Sequence, residues 1–127
     1  MNTGSYIDGE WVKPTSDRMI KNVNPADTSD VISEFPGATA ADVERAIAGA
    51  QKAFESWKNV PGPERARVVW RATEIARRRN EDIAQIMCRE QGKVINESRG
   101  EAKKGTSILE YYAGAGSRIQ GRTLPSE

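Results

Sequence analysis

The sequence predicts an α+β chain that is mostly helical: a short N-terminal β-hairpin and extended region, then about four helices. Three observations carry this reading. Apolar residues in positions 1–36 fall in short runs separated by turn dipeptides. From Thr39 onward they recur at helical spacing. Proline and glycine pairs punctuate the boundaries, and the chain changes character once, near Gly37.

The elements follow in order. "SYIDGEWV" sets Tyr6, Ile7, Trp11 and Val12 around Asp8-Gly9. Both turn positions tolerate positive φ, so the stretch predicts a two-residue hairpin. "RMIKNVNPAD" reads as a third extended piece, ended by Pro25, which biases Asn24 away from helix. "DVISEF" reads as a fourth, stopped by Pro36-Gly37. Thr39 and Asp42 form a capping box with Asp in place of Glu. Val43, Ala46, Ile47, Ala50, Phe54 and Trp57 then give an apolar stripe for the first helix. "NVPGP" breaks it, and Pro63 suits the first turn of the second, where its missing N–H is no loss. Val68, Val69, Ala72, Ile75 and Ala76 supply that helix's apolar face. Asn80 is placed to cap a third helix, with Glu81 and Asp82 at its positive end and Gly92 as its stop. Ile83, Ile86 and Met87 are expected inward, joining the first helix's stripe in a helical core. A fourth helix is expected from about Asn96 to Arg118.

Composition narrows the function. A chain of 127 residues is one domain by length and buries roughly two-thirds of its unfolded surface. Its net charge of +1 sets up no field favouring nucleic acid or an anionic membrane, and neither partner is expected. The run Arg77-Arg78-Arg79 reads as a solvated helix end that complements the negative pole of the dipole. One cysteine makes no internal disulfide, the N-terminus lacks a long apolar run, and the chain opens on a Met that reads as a native start. A cytoplasmic location is the default expectation.

The cysteine, in "IMCREQGK", decides whether the chain has a nucleophile of its own. A reactive thiolate needs a histidine, a helix N-terminus or nearby cations. The chain has no histidine, and Cys88 falls near a helix C-terminus, with Glu90 opposing Arg89 and Lys93. A packing role is favoured. There is no His/Cys metal cluster, and "GAGSRIQG" follows a helix and not a strand, so it is no dinucleotide fingerprint. Glu97 and Glu101 share a helix face and read as solvated carboxylates paired with Lys103 or Lys104. Gly100, Gly105, Gly114 and Gly116 are unusual in or near one helix. They allow close packing against a neighbour or thin a face that borders a cavity.

"YIDGEWV", "VNPAD", "AIAGAQKAFESW", "EQGKVINESRGE" and "YYAGAGSRIQGRTLPSE", in that order, resemble the N-terminal part of the aldehyde dehydrogenase superfamily from Tyr6 to Glu127. Within it the chain is most similar to bacterial semialdehyde dehydrogenases. The resemblance implies an N-terminal segment (1–36 extended, 37–127 helical) of an aldehyde dehydrogenase-like α/β subunit. The nucleotide-binding core, the glutamate base and the catalytic cysteine are expected to lie elsewhere in that subunit. In the family, a thiolate attacks the aldehyde, hydride passes to NAD or NADP, and the thioester is hydrolysed. No catalytic or cofactor-binding residue is therefore assigned on this chain. The chain alone is expected to be inactive and to bind no cofactor.

The resemblance carries two sets of positions. Family members hold a monovalent cation with backbone carbonyls before the "NP" turn and an acidic residue before "xGK"; these are Asn22, Val23 and Glu90. The fourth helix borders the family's substrate tunnel, and aligned through "YYAG" the tunnel positions are Gly100 and Lys104. A lysine there departs from the usual apolar residue and suits a carboxylated aldehyde. The expected partners are the rest of the subunit and further copies in a homo-oligomer. A free-standing helical interaction module and a small thiol enzyme using Cys88 are the rival readings.

Overall fold

The structure, a computed structural model, describes residues 4–121. Strands β1 (Ser5–Ile7) and β2 (Glu10–Val12) form an antiparallel hairpin. Its turn is the Asp8-Gly9 pair, at φ 53° and 84°. The register sets Tyr6 opposite Trp11, with ring centroids 5.3 Å apart. Strands β3 (Met19–Asn24) and β4 (Asp27–Pro36) make a second antiparallel pair, separate from the first. β4 begins earlier than the apolar run "DVISEF" predicts. Asn24 Oδ1 accepts from the Ala26 N–H at 3.0 Å, and this tight turn lets the ladder start at Asn24 opposite Asp27. The pairing is irregular around Val23.

Helix α1 spans Ala40–Trp57, and its capping box is formed as the sequence predicts. The Asp42 N–H donates to Thr39 Oγ1 at 3.2 Å, and the Thr39 N–H donates to Asp42 Oδ2 at 2.9 Å. Helix α2 spans Gly62–Arg78 with Pro63 in its first turn. Helix α3 (Asn80–Gln91) follows after one residue and ends at Gly92, which has φ +63°. Helix α4 spans Ile95–Ala113 and passes into a short 3-10 turn, Gly114–Ser117.

Three expectations need correction. Asn80 does not cap α3; it is already helical, and its Nδ2 donates to Thr106 Oγ1 at 3.0 Å. α4 stops at Ala113 and does not run to Arg118. A Cβ on Gly116 would lie 2.6 Å from Ala66 Cβ and 2.8 Å from the Gly62 carbonyl oxygen, a close approach that needs the bare backbone of the tighter turn. The largest departure is the core. Val43, Ile47, Phe54 and Trp57 all lie exposed on α1, as do Val68 and Ile75 on α2. Among the described residues Ile7 is the one large apolar side chain that is buried; the other buried residues include Ala66, Ala84, Ala102 and Ala113 with Asp42, Thr73, Ser98 and Thr106.

The chain divides into two compact units. The first holds both hairpins, α1 and residues 86–94. Here Asp42 also accepts from Thr15 N and Oγ1, each at 3.4 Å, tying the loop after β2 to the start of α1. The β1–β2 turn sits so close to α1 that a Cβ on Gly49 would meet Asp8 Oδ1 at 2.6 Å. The second unit holds α2, residues 80–85, α4 and the 3-10 turn. Thr73, Ser98 and Ala84 are fully buried there, and Thr106 Oγ1 donates back to the Ala102 carbonyl at 3.0 Å. Thr73 Oγ1 likewise donates to the Val69 carbonyl at 2.9 Å, so both buried threonine hydroxyls are satisfied within their own helices. Among the described residues no helix is long and apolar enough to cross a membrane.

Candidate functional site

In the first unit the end of α3 lies against the β3–β4 hairpin. Arg89 donates to both oxygens of Asp30, at 3.1 and 2.5 Å. This forked contact holds the Asp30 carboxyl below the ordinary carboxylate range, with Asn24 also donating to it at 3.3 Å. Gly92 completes the fit: a Cβ there would lie 2.8 Å from both Ala26 N and Pro25 Cγ.

This docking brings Asn22 and Glu90 together. Asn22 Nδ2 donates to Glu90 Oε1 at 2.8 Å, across 68 residues of sequence. Both line an open cleft of about 420 Å³ with Ile20, Ser33, Phe35 and Pro36. Val23 sits at the irregularity in the β3–β4 ladder, where regular pairing is interrupted. Glu90 is the one carboxylate that lines this cleft. Among the described residues no group of three His, Cys, Asp or Glu side chains is placed to hold a metal ion. A divalent site that depends on several carboxylates therefore does not fit this cleft.

The second predicted set lies on α4. Ser98, Ala102 and Thr106 mark its buried side. Gly100 and Lys104 lie on the opposite side with Tyr111, all exposed. A Cβ on Gly100 or Gly105 would meet nothing within 4 Å. Gly116 thus serves close packing, while Gly100 and Gly105 border open space.

Cys88 is half-buried near the end of α3 and donates through Sγ to the Lys93 carbonyl at 2.9 Å. The Arg77–Arg79 run is spent on ion pairs: Arg77 with Glu74 and Glu110, Arg79 with Asp82. Sequence reasoning missed the Glu81–Arg99 pair, at 2.8 Å. Arg99, which donates through both Nε and Nη2, and Gln85 hold the Glu81 carboxyl down from 4.5 to about 2. Arg99 lies eighteen residues away on another helix, beyond the reach of any local pattern.

The aldehyde dehydrogenase family model matches residues 11–127. The chain belongs to the aldehyde dehydrogenase family. It is 42% identical over 122 residues to an alpha-ketoglutaric semialdehyde dehydrogenase of Bacillus subtilis, a match covering 96% of this chain and 25% of that protein. It is 36% identical over 121 residues to a malonate-semialdehyde dehydrogenase of Bacillus pumilus, covering 95% of this chain and 25% of that one. Among solved structures, an NAD-dependent benzaldehyde dehydrogenase from Corynebacterium glutamicum superposes with TM-score 0.92 at 34% identity, over 100% of this chain and 28% of that chain. The chain thus spans about a quarter of the length of the curated relatives it matches. It corresponds to the N-terminal segment of the aldehyde dehydrogenase subunit. The family match favours the enzyme segment over a free-standing module.

Proposed function

We propose that this chain is a non-catalytic segment of an NAD(P)-dependent aldehyde dehydrogenase that oxidises a semialdehyde to its carboxylic acid. The observation that carries this reading is the 42% identity to a semialdehyde dehydrogenase across 96% of the chain. The exposed apolar faces of α1 and α2 support it, because such faces need a covering surface and the relatives are about four times longer. On this reading the nucleophile, the base and the dinucleotide site belong to the rest of the subunit. The cofactor, NAD or NADP, supplies the hydride acceptor when bound there. Asn22, Val23 and Glu90 would hold a monovalent cation through oxygen ligands, and that cation would tie α3 to the β3–β4 hairpin. The working enzyme is a cytoplasmic homo-oligomer.

The role of this chain's own residues is to shape the substrate passage. Gly100 leaves space on the outer side of α4. Lys104, one turn on, presents an ammonium to the carboxylate of an acidic aldehyde. The test is Lys104→Met in the full-length enzyme, with an acidic semialdehyde compared against a neutral aldehyde of equal length. The acidic substrate should lose about 1.5–3 kcal/mol in kcat/KM if the contact is desolvated, with the neutral one nearly unchanged. Equal effects on both substrates would remove Lys104 from the site. The purified 127-residue chain should produce no NADH or NADPH from either substrate, and measurable turnover would overturn the non-catalytic assignment.

A further inference from the structure

The last turn of α3 grips the β3–β4 hairpin at three points. Glu90 meets β3, where it accepts from Asn22 Nδ2 at 2.8 Å. Arg89 meets β4, where its Nε and Nη2 donate to the two oxygens of Asp30. Gly92 seats the helix end against Pro25 and Ala26, which join the two strands. Consecutive helical side chains diverge by about 100°, so Arg89 and Glu90 take hold of separate strands from different directions. Two diverging grips fix the rotation of a helix about its axis as well as its position. Asp30 lies where β4 leaves regular register. Val23 is opposite Val31 and Asn24 opposite Asp27, so residues 28–30 have no rung of their own. Side-chain bonds hold Asp30 instead: the Arg89 fork, and Asn24 Nδ2 donating to Oδ2 at 3.3 Å.

We propose that Arg89 and Asp30 are positioning residues for the monovalent-cation site of Asn22, Val23 and Glu90. The inference rests on the cation reading of those three residues. Neither Arg89 nor Asp30 is a ligand in it; the fork acts through its neighbours. Glu90 follows Arg89 directly in the chain, and Val23 is opposite Val31, the residue after Asp30. Without the fork, α3 would turn about the contact at Gly92, and the Glu90 carboxylate would swing relative to Asn22 and Val23. A singly charged ion gains little from a loosely placed carboxylate, so its binding depends on oxygen groups held in place before it arrives. Partners that orient metal-binding groups typically contribute about 10–100-fold in affinity. A lysine at position 89 keeps the charge but loses the planar fork.

The test is made on the full-length enzyme by quadrupolar NMR relaxation of sodium and rubidium ions, which reports bound ions directly. Choline chloride holds the ionic strength constant, so screening does not change along the titration. The unsubstituted enzyme should bind one of the two ions saturably, and Glu90→Gln should lose most of that binding. Asp30→Asn and Arg89→Lys should each raise the ion's Kd at least about tenfold, a difference of about 1.4 kcal/mol. The D30N/R89K double variant should be no weaker than the worse single one, because both changes break the same contact. A circular dichroism melt confirms that each variant is folded at the titration temperature; should Asp30→Asn unfold the protein, Arg89→Lys reads the same loss. A lower Tm with unchanged Kd in the folded variants would make the fork a structural tie only and overturn the proposal, leaving the cation reading in place. No saturable binding by the unsubstituted enzyme, or undiminished binding by Glu90→Gln, would overturn the cation reading and the proposal together.

Discussion

The two units hold themselves together by different means. The hairpin unit buries one large apolar side chain, Ile7, and otherwise depends on long-range polar ties: Thr15 to Asp42, Asn22 to Glu90 and Arg89 to Asp30. The helical unit depends on close approach. Its buried residues are alanines and hydroxyls, and its tightest point is the Gly62–Gly116 passage beside Ala66. Apart from Ile7, neither unit buries a large apolar side chain among the described residues. The lesson is that a segment can satisfy its backbone and fix its local geometry while keeping its strongest hydrophobic surface uncovered. Burying a single Leu- or Phe-sized side chain contributes about 1.5–3 kcal/mol, so faces of this size are a large reserve for association.

The contrast can be broken at its narrowest points. The largest expected effect is at Gly92. Valine there meets a left-handed backbone costing roughly 1–3 kcal/mol and also collides with Ala26 N and Pro25. Gly92→Val should therefore undock the end of α3 from the β3–β4 hairpin. Hydrogen exchange should then rise in β3, β4 and residues 86–94 while α2 and α4 stay protected. Loss of protection throughout would show that the two units do not melt independently.

Gly116→Ala probes the helical unit. Its Cβ would lie 2.6 Å from Ala66 Cβ, an overpacking that costs about 1–3 kcal/mol. The chemical-denaturation midpoint should fall, with hairpin amide signals unchanged under native conditions. A neutral result would mean that the 3-10 turn yields freely.

Gly100→Ala and Gly105→Ala carry the opposite sign. Both Cβ atoms enter open space, so each should stabilise the isolated chain by about 0.5–1 kcal/mol. A thermal melt checks this, and destabilisation by either change would show that something does cover α4 there.

The smallest effect is electrostatic. Glu81 is held at about 2 in the folded chain, chiefly by Arg99. A depressed carboxylate adds stability that is fully present above the unfolded value of 4.5 and is lost as pH falls toward about 2. Both partners are exposed, so the contribution is modest and screened by salt. Arg99→Gln should flatten the acid limb of a stability–pH curve for the helical unit and leave the neutral region nearly unchanged.

Local chemistry was legible in the residues themselves. Asp8-Gly9 specifies its turn because both positions tolerate positive φ. Thr39 and Asp42 specify a helix start through hydrogen bonds that close within four residues. Gly92 ends α3 for the same local reason, and five family segments in order were enough to place the chain among aldehyde dehydrogenases. The resemblance had already grouped Asn22 with Glu90, but the Glu81–Arg99 pair and the halt of α4 at Ala113 came only from the tertiary structure. Each depends on a partner many residues away, and nothing in a local window encodes such a distance. The apolar stripe of α1 shows where the two kinds of information part. Periodicity correctly announced a helix with one apolar face, but what covers a face is a property of the whole assembly, and Val43, Ile47, Phe54 and Trp57 remain exposed.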